Sequence, residues 1–188
     1  MAHAYARIYI HLIFGTNGRR HSLRGETQPK LWSYIRGIAR EYRIDVLEIN
    51  GGEDHVHILF ALPPSIALAA AVRVFKANSS KWLNETGHFF AWQQGYAAFS
   101  VSSSHLEVVK RYIQSQPEHH RRRNFESEYL AFLRKNGVTF TPERVFSIEP
   151  ASAGSMLKSK LDPGLTPWAK GDSALPGWIN VRCPTHSP

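Results

Sequence analysis

Two histidines one residue apart, His55 and His57, interrupt the apolar run DHVHILF. An α-helix would turn the two rings to nearly opposite sides, because each residue advances by about 100°. A β-strand directs residues i and i+2 to the same face. The pattern therefore predicts a strand with both imidazoles on one face and Val56, Ile58 and Phe60 facing the core. Such a pair can hold a metal ion, although ordinary polar-face histidines would give the same pattern in a chain with 10 histidines.

A second unusual cluster is the stretch YIQSQPEHH, in which Tyr112 and Gln116 are four residues apart and would share one helix face. Two imidazoles and one amide oxygen are neutral ligands. A divalent ion held by His55, His57 and Gln116 would therefore keep its full charge for a scissile phosphate. A tyrosine beside that ion could act as a nucleophile and form a covalent intermediate. By itself Tyr112 would be interpreted as an amphipathic-helix residue, and only its combination with the other three favours catalysis.

The formal net charge of +8 and the sequence pI of about 9.8 favour a polyanionic partner, with nucleic acid ahead of a membrane. The basic side chains that we expect to contact phosphate are Arg19, Arg20, Arg24, Lys76, Lys81, Arg121, Arg122 and Arg123. Each of them could equally be a solvated surface residue. His119 and His120, next to the last three arginines, could also be interpreted as a second metal site. Asp54 either orients a neighbouring histidine or shapes the turn before it.

The hydrophobic pattern predicts four strands and four helices around these clusters. The predicted strands cover 5–14, 44–50, 54–62 and a segment that ends near 99–101, and the predicted helices cover 28–42, 66–84, 105–116 and 124–136. Gly51 and Gly52 predict a turn that joins the second and third strands into a hairpin.

Local signals also predict where two of these helices begin and end. Ser104 with Glu107 three residues later is typical of a capping box, and Gly137 is expected to end the last helix. The element order β-α-β-β-α-β predicts an α+β fold of the ferredoxin-like, split βαβ type, an antiparallel sheet with helices on one face plus C-terminal helices.

The chain has 188 residues, of which 43% are hydrophobic, enough for one domain over 1–147. Residues 148–188 are rich in Pro, Gly and Ser, and we expect a poorly ordered tail. No apolar run reaches the roughly 18 residues of a membrane helix, and no signal peptide is evident. The single cysteine, Cys183, excludes a disulfide within the chain and favours a reducing cytoplasm.

These motifs resemble the single-tyrosine HUH transposases of bacterial insertion sequences and their REP-associated relatives, where HUH denotes His-hydrophobic-His. The similar stretches are, in order, HLIFGTNGRR, GGEDHVHIL, WQQGYAAFSVS and VKRYIQSQPEHHRRRNFESEYLAFLRKNGV. The resemblance covers residues 5–147, and the order of the motifs makes it specific.

The resemblance implies a homodimer that cleaves and rejoins single-stranded or hairpin DNA at the ends of an element, through a 5′-phosphotyrosine link and with Mg²⁺ or Mn²⁺. It assigns His55, His57 and Gln116 to the metal and Tyr112 to the nucleophile, in an active site that can be shared across the dimer. Ser115 stands where the family often has asparagine. Pro117 disfavours helical geometry at the preceding Gln116.

Two other functions fit the same residues. A catalytically silent or domesticated copy would bind hairpin DNA or RNA without cutting it. A metal phosphodiesterase would use water as its nucleophile and leave Tyr112 a structural role. Nucleotide-driven chemistry is not indicated, because the sequence has no GxxxxGK[ST] loop.

Overall fold

The computed structural model describes residues 5–119, 124–141 and 145–146. The predictions for Arg121, Arg122, Arg123 and the tail at 148–188 lie outside these residues.

The fold is built on one antiparallel sheet of four strands in the order β2-β3-β1-β4. The strands are β1 (Tyr9–Gly15), β2 (Asp45–Gly51), β3 (His55–Ala61) and β4 (Ala97–Val101). The helices are α1 (Thr27–Glu41), α2 (Leu68–Glu85), α3 (Leu106–Gln114), α4 (Gln116–His119) and α5 (Phe125–Lys135). This architecture confirms the predicted ferredoxin-like α+β fold.

The two faces of the sheet pack against different helices. Val56, Ile58 and Phe60 of β3 are buried in the main core, as predicted, together with apolar residues of α1 and α2. On the opposite face, Ile13 of β1 packs with Phe125 and other apolar residues of α5. The two-residue period of a strand explains this division, because alternate side chains enter opposite layers.

The predicted capping box at Ser104 and Glu107 does not form. The Ser104 hydroxyl contacts the Nδ1 atom of His105 at 3.2 Å, whereas Glu107 pairs with Lys110 at 2.8 Å. A short 3-10 turn at Ser103–His105 precedes α3, which begins at Leu106. The side chain of His105 therefore takes the hydroxyl that the capping box would have used.

The predicted third helix is divided at Ser115. Helix α3 ends at Gln114, and the short helix α4 starts at Gln116, so Pro117 occupies its second position. A proline is tolerated there because the first turn of a helix does not need its backbone N–H. The last helix agrees with prediction: Asn124 caps its start, and Gly137, with a φ of 67°, follows its end.

Helix α2 holds the segment that leads to β4 through a buried hydrogen bond. The Trp92 indole N–H donates to the Ser79 hydroxyl at 2.8 Å, and that hydroxyl donates to the Phe75 carbonyl at 2.6 Å. Replacing the serine would leave the buried indole N–H without its acceptor. We expect Ser79→Ala to lower the free energy of unfolding by about 1–3 kcal/mol, measured by urea denaturation.

The matched control is Ser80→Ala on the same helix, which lies nearer the solvent. Its effect should stay within about 0.5 kcal/mol. Equal stabilities for the two variants would contradict the role assigned to the Ser79–Trp92 hydrogen bond.

Candidate active site

Both predicted histidines lie on β3, and their side chains are fully buried on the face opposite the main core. The His55 ring stacks on the Phe125 ring, with 4.1 Å between centroids and 5° between planes. The ring also lies against the backbone of Gly52, where an added Cβ would lie 2.5 Å from the His55 ring carbon Cε1. A glycine at this position thus leaves the space that the imidazole occupies.

Asp54 fixes the orientation of His55. Its Oδ1 atom is 2.7 Å from the Nδ1 atom of His55, and its Oδ2 atom is 3.8 Å from Nε of Arg19. Burial raises the pKa of Asp54, but the hydrogen bond and charge of His55, with the charges of His21 and Arg19, outweigh it and hold the net pKa below its usual value. The ionised carboxylate accepts from the His55 Nδ1–H, so Nε2 is the ring atom that a neutral imidazole would offer to a ligand.

His11 makes the corresponding contact to His57 and was not predicted. Its Nε2 atom is 3.0 Å from the Nδ1 atom of His57. Burial lowers the pKa of His11 to about 4, so its ring is neutral at pH 7. When His57 Nδ1 carries the shared hydrogen, His57 keeps a lone pair on Nε2. The period of the strand was the signal that could have indicated His11. His11 and Ile13 are two residues apart on β1 and share one face, and Ile13 lies opposite His57 in the register.

Tyr112 lies beside these rings within the same chain. Its ring is edge-on to His57 at 5.8 Å and to His11 at 6.1 Å, measured between centroids. Helix α3 is held against β2 by Gln114, whose side chain donates to Glu48 at 2.6 Å. The structure therefore brings Tyr112 next to the histidine pair of its own chain.

Gln116 is also fully buried, and it contacts a residue that the sequence analysis missed. Its Nε2 atom donates to the Oε1 atom of Glu128 on α5 at 3.1 Å. Glu128 is 6% exposed, and burial raises the pKa of its carboxyl to about 7. The available signal was helical spacing: Glu128 lies three residues after Phe125, on the apolar face of the predicted helix.

The group His55, His57 and Glu128 has the chemistry of a divalent-metal site. One donor atom from each residue lies within 4.8 Å of the others. Imidazole nitrogens and carboxylate oxygens bind such ions at about 2.0–2.2 Å, so small side-chain movements would bring all three donors to one ion. Gln116, hydrogen bonded to Glu128, lies at the edge of this group.

Arg19, Lys76 and Lys81 are three of the four predicted phosphate-binding residues whose side chains have contacts inside the described part of the protein. Arg19 pairs with Glu126 at 2.6 Å. The ammonium group of Lys76 donates to the backbone carbonyls of 93, 94 and 95 at 2.6–3.1 Å, and burial lowers its pKa to about 8. The Nζ atom of Lys81 lies 3.8 Å from the Oε1 atom of Glu85, on the same helix α2. Lys76 thus anchors the loop before β4, and α2 lies on the sheet face opposite the histidines.

Arg20 and Arg24 are exposed on the segment that follows β1. Arg24 contacts Glu53 at 3.0 Å, and the Leu23 backbone N–H donates to the carbonyl of Glu53. This segment therefore runs beside the turn that leads into β3, near the candidate active site. Among the described residues, no helix is both long and apolar enough to cross a membrane.

Comparison with known proteins identifies a family for most of this chain. Residues 4–116 match the family model described as transposase, IS200 like. The transposase of insertion sequence IS200 from Salmonella typhimurium is 25% identical over 126 residues, which cover 63% of this chain and 82% of that protein. The ISDra2 transposase TnpA of Deinococcus radiodurans is 26% identical over 118 residues, or 58% and 84% of the two chains.

Two solved structures share the fold. A crystal structure from Deinococcus radiodurans, assigned as a transposase, superposes with a TM-score of 0.51 at 22% identity, over 62% of this chain and 96% of that one. A REP-associated tyrosine transposase bound to a REP hairpin superposes with a TM-score of 0.50 at 16% identity, over 64% of this chain and 73% of that one. Because the family model spans more than half of the sequence and includes His55, His57, Tyr112 and Gln116, the chain belongs to the IS200-like transposase family, whose activity is DNA transposition.

Proposed function

We propose that this chain cleaves and rejoins single-stranded DNA through a covalent link to Tyr112. The supporting observation is the position of the Tyr112 ring, edge-on to His57 at 5.8 Å in a buried site that also holds His55, Gln116 and Glu128. A tyrosine of purely structural function would not need a buried histidine pair of this kind beside it.

The proposed reaction conserves the energy of the phosphodiester bond. The Tyr112 oxygen attacks the scissile phosphorus, the bond from phosphorus to the 3′ oxygen breaks, and the departing strand takes up a proton as a 3′-hydroxyl. The 5′ phosphate remains on Tyr112. A second 3′-hydroxyl then attacks this link, rejoins the DNA and releases the tyrosine, so the cycle needs no nucleotide cofactor.

We propose that His55, His57 and Gln116 hold Mg²⁺ or Mn²⁺. A bound ion would polarise the scissile phosphate and stabilise the charge that develops on it. Asp54 and His11 support this assignment, because both contact Nδ1 of a histidine, which makes Nε2 the ring atom that each neutral imidazole would offer to a ligand.

Hairpin or single-stranded DNA at element ends is the proposed substrate, supported by the hairpin bound to a relative of the same fold. Arg20 and Arg24, exposed beside the site, are the described residues that best fit phosphate contacts. We retain Arg121, Arg122 and Arg123 as further contacts on sequence grounds. A homodimer in the cytoplasm also remains part of this proposal.

The Tyr112→Phe variant tests the nucleophile directly. We expect it to lose the denaturant-resistant adduct with hairpin oligonucleotides labelled at the 3′ end, while it still binds them, because only the attacking oxygen is removed. The measurement is a labelled protein band on a denaturing gel in the presence of Mn²⁺. EDTA should abolish the wild-type band.

Each other outcome selects a different function. Cleavage that persists in Tyr112→Phe would indicate a nuclease that uses water. Binding without cleavage by the wild-type chain, across the oligonucleotide panel, would favour a catalytically silent hairpin-binding protein.

The Gly52→Ala variant tests His55 without removing a donor atom. The added methyl group would meet the His55 ring, so the ring must move. We expect the affinity for Mn²⁺, measured by isothermal titration calorimetry, to fall by about 10–100-fold, as it does when groups that orient ligands are lost.

Gly37→Ala is the control, because a Cβ at this position in α1 meets nothing within 4 Å. Its Mn²⁺ affinity should equal that of the wild type. An unchanged affinity in Gly52→Ala as well would remove His55 from the proposed metal site.

A further inference from the structure

Helix α5 lies beyond the segment that matches the family model, yet its side chains contact His55, Tyr112 and Gln116 of the candidate active site. Phe125 stacks on His55, and Phe132 lies 5.5 Å from the Tyr112 ring. Glu128, one turn from each of these aromatic residues, accepts a hydrogen bond from Gln116. The helix thus forms one side of the site and places the acidic side chain of Glu128 in it.

The position of Glu128 distinguishes it from Glu126, the other acidic residue of α5. Its side chain is buried, with an oxygen within 4.8 Å of the donor atoms of both His55 and His57. Glu126, in contrast, is 44% exposed and pairs with Arg19. A divalent ion beside the two imidazoles would place a positive charge next to this buried carboxylate.

We infer that Glu128 is an anionic ligand of the proposed metal site, which α5 adds to the histidines and Gln116. The inference rests on the proposed function, since it concerns the same metal. One carboxylate reduces the net charge of the metal with its ligands from +2 to +1. This ligand set should bind Mn²⁺ more tightly than a neutral set, because carboxylate oxygen is a ligand that Mn²⁺ favours.

The contact with Gln116 has a consequence for that residue. An ionised carboxylate only accepts hydrogen bonds, so the part of the amide that faces it must be the N–H group. Gln116 therefore restrains the carboxylate of Glu128, and a change at either residue affects the other.

The test is a Mn²⁺ titration of the full chain by calorimetry, with the signal of free Mn²⁺ in electron paramagnetic resonance as a second readout. We expect Glu128→Gln to weaken Mn²⁺ binding by at least about 10-fold. The control is Glu85→Gln, which removes an equal charge from an exposed position on α2 and should match the wild type.

His57→Ala separates this inference from the proposed function. Loss of binding in His57→Ala with wild-type affinity in Glu128→Gln would overturn the role of Glu128 and leave the histidine site intact. Absence of Mn²⁺ binding by the wild-type chain would overturn both proposals.

A thermal measurement keeps the test independent of folding. The substitution preserves the shape of the side chain, and each protein is compared with its own metal-free form. Mn²⁺ should raise the melting temperature of the wild type by an amount that follows the logarithm of the Mn²⁺ concentration over the dissociation constant, and raise that of Glu128→Gln less. An equal rise in both proteins would contradict the inference.

Discussion

The buried imidazoles of His55 and His57 determine the arrangement around them, because a ring nitrogen removed from water needs a hydrogen-bond partner or a ligand. Asp54 meets this need on one ring and His11 on the other. Both contacts use Nδ1, so Nε2 is the second nitrogen on each ring.

The rest of the fold separates this polar layer from the main core. Helices α1 and α2 pack on the apolar face of the sheet, where side chains of β1 and β3 interdigitate without polar groups of their own. Helix α5 packs on the other face with a smaller apolar cluster. The site lies beside that cluster, where aromatic rings exclude water and strengthen each electrostatic contact. The main apolar core and the candidate active site thus lie on opposite faces of one sheet.

Local sequence signals predicted the framework well. All four strands and the main helices lie close to the predicted segments, because each is long enough for its hydrophobic period to be read. The boundaries that failed depend on single side chains. The capping box at Ser104 failed because His105 competes for the serine hydroxyl, and the helix around Gln116 is divided because Pro117 is compatible with a new first turn.

Other features depend on contacts between residues far apart in the chain, which no local pattern contains. Lys76 resembles a surface lysine in the sequence, but packing of α2 against the loop before β4 gives it three carbonyl partners. Glu128 lies on the apolar face of its helix, but only the docking of α5 on the sheet buries it against Gln116. His11 is similarly unremarkable until the register of β1 on β3 places it next to His57.

The sequence by itself determined that His55 and His57 share a strand face, because that relation depends only on the period of a strand. It did not determine how Tyr112 and Gln116 lie relative to each other, because the helix is divided between them at Ser115. The tertiary structure alone decided which groups orient the two imidazoles and which acid lies beside them. The reason is physical: hydrogen bonds between distant segments form only when sheet register and helix docking bring them together, and burial then makes each of those contacts strong.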